Sequence, residues 1–196
     1  MEHRVSGPSL FERVLGERFA ALPPALRRFH RLSGRHELHG LVETDAPDSS
    51  VGRLLAWCLG TPTRATHGRI RFVLEAAPDS ETWTRHFPGR TMRSRMRFGA
   101  GHVVEQMGLA RLVFALELSN GRLRMHLAGL RFLGVPCPAW LRPRLVAEET
   151  GDRTAGVERL HFRIEARVPG VGQVVGYRGH LVLPDAGPDE AASSRG

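Results

Sequence analysis

Lysine is absent from this 196-residue chain, and all 28 of its basic side chains other than histidine are arginines. A phosphate-binding loop of the nucleotide-hydrolase type needs a lysine, so that class of site is excluded. Cysteine is scarce: Cys58 and Cys137 have neither the spacing of a zinc site nor that of a redox motif. We therefore predict two buried free thiols, with a disulfide between them as the open alternative.

Long apolar runs are missing as well. No stretch approaches the roughly 18 apolar residues that a membrane-spanning helix needs. The first residues contain no apolar segment of the kind found in secretory signals. We therefore expect no membrane span and a cytoplasmic location.

The positive charge is large but spread out. The net charge is +8 and the pI is about 11.2, values that would suit a nucleic-acid-binding protein. The arginines lie along the whole chain, however, and are not gathered into a tail or one helix. Because nucleic-acid affinity depends on charge concentrated on one face, we expect a generally basic surface and no nucleic-acid partner.

The beginning of the chain has helical patterns. Ser9 followed by Glu12 is a capping-box pattern, and apolar residues at helical spacing follow it. Pro24 can start a second helix that ends at Gly34. A short amphipathic helix is predicted at 50–60, closed by Gly60.

From residue 35 the pattern changes to short alternating segments separated by turn residues. The Asn120-Gly121 pair between two such segments is the strongest hairpin signal in the chain. We count eight or nine strands and find no regular alternation of strand and helix, which favours antiparallel pairing. The predicted fold is mostly β (α+β): an antiparallel β-barrel or strongly curved sheet, with two N-terminal helices packed on it or plugging it. A sandwich or a helix-wrapped sheet remains the alternative.

The domain organisation predicted from these patterns is simple. We expect a single domain over 1–184, helical over 9–34 and built mainly of antiparallel strands over 35–184. The small polar residues of 185–196 predict a disordered tail.

The segment at 80–99 combines large rings and arginines around a Pro-Gly turn. Alternation places Trp83, Arg85 and Phe87 on one strand face, and Ser94 returns across the turn. If this face points into a barrel, Arg85 is a candidate clamp for a ligand carboxylate or phosphate. If it points to solvent, the three side chains form an ordinary cation–π ladder.

Other motifs that carry chemistry are weak. Glu105 lies between apolar residues, where it can form a structural ion pair with an arginine or line a pocket. No G-x-S-x-G or H-E-x-x-H is present, and strand alternation puts His36 and His39 on opposite faces. We identify no catalytic residue, and we predict neither a metal site nor a cofactor.

The order of these features resembles a bacterial family of domains of unknown function, DUF4166, over roughly residues 9–184. The motifs that carry the resemblance are Leu10 to Gly16, Trp83-Arg85-Phe87 with Ser94, Glu105 with Gly108, Leu133 to Pro138, and Tyr177 with Gly179. Cys137 departs from the pattern, which has a leucine between the two prolines. The resemblance implies an oxidoreductase partner, because similar domains occur fused to saccharopine-dehydrogenase-like proteins, but it implies no reaction.

Three functions stay open on this sequence. The first is binding of a small amphipathic or lipid-like ligand in a barrel cavity, by the ligand-binding candidates Trp83, Arg85, Phe87, Ser94, Glu105 and Tyr177. The second is an enzyme, or an oxidoreductase accessory domain, that uses the same pocket with Glu105 as acid/base and Arg85 as anion binder. The third is a structural or interaction domain with no ligand.

Overall fold

The computed structural model describes residues 7–184. Its α-helices are α1 (Leu10–Leu15), α2 (Pro24–Phe29) and α3 (Ser50–Leu59), and short 3₁₀ helices cover Gly16–Ala21 and Ala139–Leu141. The strands are β1 (Gly34–Thr44), β2 (Thr66–Ala77), β3 (Ser80–Phe87), β4 (Arg90–Gly99), β5 (His102–Met107), β6 (Ala110–Ser119), β7 (Arg122–Phe132), β8 (Val135–Pro136), β9 (Arg144–Thr154), β10 (Val157–Val168) and β11 (Gly172–Val182).

The strands form one antiparallel sheet that closes on itself. Consecutive strands pair from β1 to β7 and from β9 to β11, and β11 pairs back onto β1. Pairing of β7 with β9 completes a barrel of ten strands, outside which β8 adds to the edge of β7. The predicted antiparallel barrel is therefore confirmed.

Two local signals in the sequence give the structure that they predict. The Ser9 N–H donates to the Glu12 carboxylate at 2.8 Å and the Glu12 N–H donates to the Ser9 hydroxyl at 3.2 Å, which completes the capping box of α1. Asn120 and Gly121 both have positive φ, 51° and 72°, in the two-residue turn between β6 and β7.

The two N-terminal helices close one end of the barrel. Their apolar side chains are almost completely buried: Leu10, Phe11, Leu15, Ala25, Leu26 and Phe29. The Phe11 ring stacks 6.2 Å from the Trp83 ring, and the Phe29 ring lies 5.9 Å from that of Phe72, so the helices reach the interior. The predicted packing of these helices on the barrel is confirmed, although α2 ends at Phe29 and not near Gly34.

The third helix lies at the opposite end of the barrel, where β1, β3 and β5 end and β11 begins. The Ser49 hydroxyl caps it by accepting from the Gly52 N–H at 3.0 Å, and Gly60 ends it in the left-handed conformation. Arg90 donates to the carbonyls of Trp57 and Gly60, which fixes the end of α3 to the β3–β4 turn.

The structure differs from the sequence prediction in the number of strands, since residues 7–184 form eleven. The two that were missed are β8, of only two residues, and β9. Strand β9 contains Glu148, Glu149, Gly151 and Asp152, and most of these residue types are disfavoured in strands. Pairing along its whole length with β10 overrides that preference.

Both cysteines are free, as predicted, but each is half-buried and not fully buried. No helix within 7–184 has the length and apolar character to cross a membrane. The tail predicted at 185–196 lies outside the described residues.

Candidate functional site

A cavity of about 240 Å³ occupies the barrel between its middle and the α3 end. Most of its wall is apolar, contributed by the inward faces of eight strands and by Leu55 and Leu59 of α3. Among the residues of this wall are Trp83, Arg85, Glu105, Glu149, Ala166 and Tyr177. The interior of the barrel is therefore not filled.

The cavity opens where two strands separate. Strands β7 and β9 pair only at Leu123–Glu149 and Arg124–Glu148, in the half of the barrel near the N-terminal helices. Toward the α3 end no further pairing joins them, and Met125 and Phe132 of β7 and Leu145 of β9 line the cavity instead. Cys137 and Leu141, from the segment between these strands, complete this side of the opening.

Arg85 is a buried cation in the cavity wall, only 8% exposed. Its guanidinium lies 4.9 Å from the Trp83 ring centroid and 5.7 Å from that of Phe72. One of its nitrogens, Nη1, donates to the Ser94 hydroxyl at 3.1 Å. Within 7–184 no carboxylate forms an ion pair with it, so of the alternatives left open by the sequence Arg85 stacks on rings and does not pair with Glu105.

Two further polar groups line the same cavity. The Glu105 carboxylate, 9% exposed, receives no hydrogen bond from any described residue. Burial raises the pKa of Tyr177; the nearby charge of Arg85 lowers it, and those of Glu105 and Glu149 raise it further. The Tyr177 hydroxyl is therefore protonated at neutral pH and can donate a hydrogen bond into the cavity.

Of the six ligand-binding candidates predicted from the sequence, four line the cavity and the other two contact residues of its wall. Trp83, Arg85, Glu105 and Tyr177 line the cavity. Ser94 is buried behind Arg85 and holds its guanidinium, whereas Phe87 packs edge-on against the Tyr177 ring at 5.2 Å. The face that carries Trp83, Arg85 and Phe87 points into the barrel, and stacking of Arg85 on rings occurs there, not at the surface.

Sequence reasoning missed a second buried polar cluster, beside Trp83. The Trp83 indole N–H donates to the Glu81 carboxylate at 2.8 Å, and His30 Nε2 lies 2.8 Å from the Glu149 carboxylate. The His30 ring packs 3.8 Å from the Phe11 ring, and its Nδ1 has no hydrogen-bond partner among the described residues. Burial raises the pKa of Glu81, although the charge of His30 and the indole hydrogen bond oppose this.

A signal for part of this cluster was present in the chain. Glu81 has the same strand parity as Trp83 and Arg85, and Glu149 has that of Leu145 and Ala147. Alternation thus places both carboxyl groups inside the barrel. Only the tertiary structure brings His30, from the end of α2, against Glu149.

The histidines considered for a metal site lie apart. His36 and His39 are on opposite faces of β1, as alternation predicts. His36 is hydrogen bonded to the Ser33 carbonyl, and His39 is paired with Glu37 at 3.3 Å. Within the described part of the chain no group of three or more His, Cys, Asp and Glu side chains could hold a metal ion.

Comparison with known proteins identifies the family. The model of the family described as a domain of unknown function (DUF4166) matches residues 22–181. Among solved structures, the crystal structure of Rv2717c from M. tuberculosis is similar with a TM-score of 0.44 and 12% sequence identity, over 83% of this chain and 99% of that one. No curated protein matches the sequence. Because the family model covers well over half of the chain, the protein belongs to the DUF4166 family of domains of unknown function.

Proposed function

We propose that the protein binds a small amphipathic ligand in the barrel cavity, with an anionic head at Arg85 and an apolar body that extends toward the α3 end. The observation that carries this proposal is Arg85 itself, a buried cation in the cavity wall that forms no ion pair with any carboxylate of residues 7–184.

A buried charge that forms no direct ion pair is costly. The two rings and the Ser94 hydroxyl compensate part of the lost hydration of Arg85, but they contact only part of its guanidinium. The remaining N–H groups would bind a carboxylate or phosphate oxygen by charge-assisted hydrogen bonds, and the ligand would supply the missing negative charge.

The rest of the cavity supports the same class of ligand. Its largely apolar wall suits an acyl chain, and its volume of about 240 Å³ lies below the roughly 300–1,000 Å³ of pockets for drug-sized molecules. A medium-length chain is therefore the expected size. The Tyr177 hydroxyl would donate a second hydrogen bond to the head, and Glu105 would accept one from a ligand hydroxyl.

Calorimetric titration with sodium decanoate tests the proposal. We expect the wild-type protein to bind one decanoate, and Arg85→Met to bind it roughly 10- to 100-fold more weakly. Methionine keeps an unbranched apolar stem in the wall but removes the charge, and a hydrogen bond to a charged group contributes about 1.5–3 kcal/mol. The matched control is Arg95→Met, an exposed arginine on the outward face of β4.

The outcomes separate the three functions left open by the sequence. Equal binding by the wild type and Arg85→Met, or no binding by the wild type, contradicts the proposal. Native mass spectrometry of the purified protein reports a retained ligand directly, and a ligand that emerges chemically changed would indicate an enzyme. An oxidoreductase partner stays a prediction from the family resemblance.

A further inference from the structure

The end of the barrel that carries the cavity opening has an unusual surface. Helix α3 exposes apolar side chains, and so does the segment after β7, which borders the same opening. We call these residues together the mouth collar: Val51, Leu54, Trp57, Leu133, Val135 and Trp140, which are 56–75% exposed.

Helix α3 is apolar on both of its faces. Ala56 is buried, Leu55 and Leu59 line the cavity, and the opposite face presents collar residues to solvent. A helix that is apolar all round is normally buried, so the outward face of α3 fits a surface that is covered in use.

The stretches that supply the collar contain arginines and no carboxylate, and Asp48, which precedes α3, is paired with Arg167. Exposed arginines lie among its residues and form no ion pair with any carboxylate of residues 7–184: Arg53, Arg131, Arg142 and Arg144. The chain has no Asp or Glu at 49–74 or at 118–147, the stretches that supply the collar. Other arginines are paired, both at the opposite end, as in Arg13–Asp79, and beside the start of α3, as in Arg167–Asp48.

We propose that the mouth collar docks the protein onto the surface of an anionic lipid bilayer. Exposed tryptophan and leucine insert at the boundary between headgroups and acyl chains, while arginines attract anionic headgroups. This contact would face the cavity opening toward a source of amphipathic molecules. The docking concerns the outer surface and does not require that the cavity hold a ligand.

Co-sedimentation with vesicles tests the docking. We expect the wild-type protein to bind vesicles of phosphatidylglycerol and phosphatidylcholine in equal parts, and to bind pure phosphatidylcholine vesicles much more weakly. Two double variants test the collar: Leu54→Gln with Trp140→Gln, and Arg53→Ser with Arg142→Ser. Each double variant should lower the partition coefficient roughly tenfold or more.

The controls remove the same chemistry from other surfaces. Leu41→Gln with Val157→Gln removes exposed apolar side chains from the barrel wall and from the end near α2. Arg95→Ser with Arg97→Ser removes from the outward face of β4 two exposed arginines that form no ion pair with a carboxylate of residues 7–184. Both control pairs should bind vesicles as the wild type does, and thermal unfolding verifies that every variant is folded.

Several results would overturn the docking. The first is absence of binding to the anionic vesicles, and the second is an equal loss of vesicle binding in the collar and control variants. The third is a dimer of the protein that does not bind vesicles and that the collar substitutions dissociate. Binding to duplex DNA that depends on the collar arginines but not on Leu54 and Trp140 would assign the surface to nucleic acid instead. Because the vesicles contain no free fatty acid, failure here leaves decanoate binding at Arg85 untouched.

Discussion

Six ionisable side chains are buried in the described part of the molecule: His30, Glu81, Arg85, Glu105, Glu149 and Tyr177. They do not form one ion-paired network. His30 is paired with Glu149, Glu81 accepts from Trp83, and Arg85 and Glu105 line the cavity without pairing with each other. A buried charge costs free energy unless it is matched. Arg85 and Glu105, which line the cavity without pairing with each other, therefore do not stabilise the fold as an ion pair.

Glu81 provides a test at this scale. Burial raises its pKa above the usual 4.5, so the folded protein holds the proton more tightly than the unfolded chain. Its contribution to stability is fully present below about pH 4.5 and is lost as the pH rises through the raised pKa. Glu81→Gln keeps an acceptor for the Trp83 indole and carries no charge. The free energy of unfolding of the variant, minus that of the wild type, should therefore grow with pH.

Urea unfolding at a series of pH values measures that difference. Each unit by which the pKa is raised corresponds to about 1.4 kcal/mol. The control is Glu17→Gln, the same substitution at an exposed side chain. A pH-independent difference for Glu81→Gln would mean that its carboxyl group is hydrated in the folded state.

At the scale of elements, the position of α3 depends on close contact with the β5–β6 turn. Gly108 has a φ of +52°, and a Cβ atom there would lie only 2.3 Å from the Cys58 carbonyl oxygen and 3.0 Å from the Leu59 Cα. Backbone packs against backbone at this point, so α3 can cover the barrel end only because residue 108 has no side chain.

Gly108→Ala should therefore push α3 away from the barrel. We expect the free energy of unfolding to fall by about 1–3 kcal/mol more than in Gly101→Ala, because overpacking against backbone adds to the conformational strain. Gly101 is the matched control: it lies in the turn at the other end of β5, has a φ of +79°, and has open space around its Cβ position. Equal losses of unfolding free energy in the two variants, measured by urea unfolding, would show that α3 shifts away from residue 108 at no cost.

At the scale of the whole molecule, the barrel closes at one half of the β7–β9 seam and holds a cavity beside the other half. Ten strands form the wall, yet the β7–β9 seam has only two paired positions, and the cavity opens beside it. The N-terminal helices fill the other end with large side chains such as Phe11 and Phe29. Ligand access is therefore expected only from the α3 end.

Filling the cavity should separate binding from folding. Ala166 faces the cavity from β10, so Ala166→Leu should weaken decanoate binding at least roughly tenfold. The unfolding free energy should stay unchanged or rise by about 0.5–2 kcal/mol, as cavity-filling substitutions commonly do. Ala115→Leu, on the outward face of β6, is the control. Undiminished binding by Ala166→Leu in calorimetry would place the ligand elsewhere.

Local patterns of the sequence determined the elements and the inward faces. A strand has a side-chain period of two, so Trp83, Arg85 and Phe87 share a face whatever the fold. Capping and turn chemistry likewise act within a few residues, as at Ser9 and Asn120. For β9, whose composition opposes strand formation, local patterns failed, and Glu149 was missed with it.

Only the tertiary structure decided what those faces enclose. Closure between β1 and β11 and across the β7–β9 seam joins residues distant in sequence, and no local periodicity encodes such contacts. The cavity, the unpaired state of Arg85, the contact of His30 with Glu149 and the gathering of exposed apolar residues around one opening all depend on that closure. The sequence by itself determined which side chains of the predicted strands face inward. The tertiary structure decided that they surround a cavity, because the walls of that cavity come from strands that are distant in sequence.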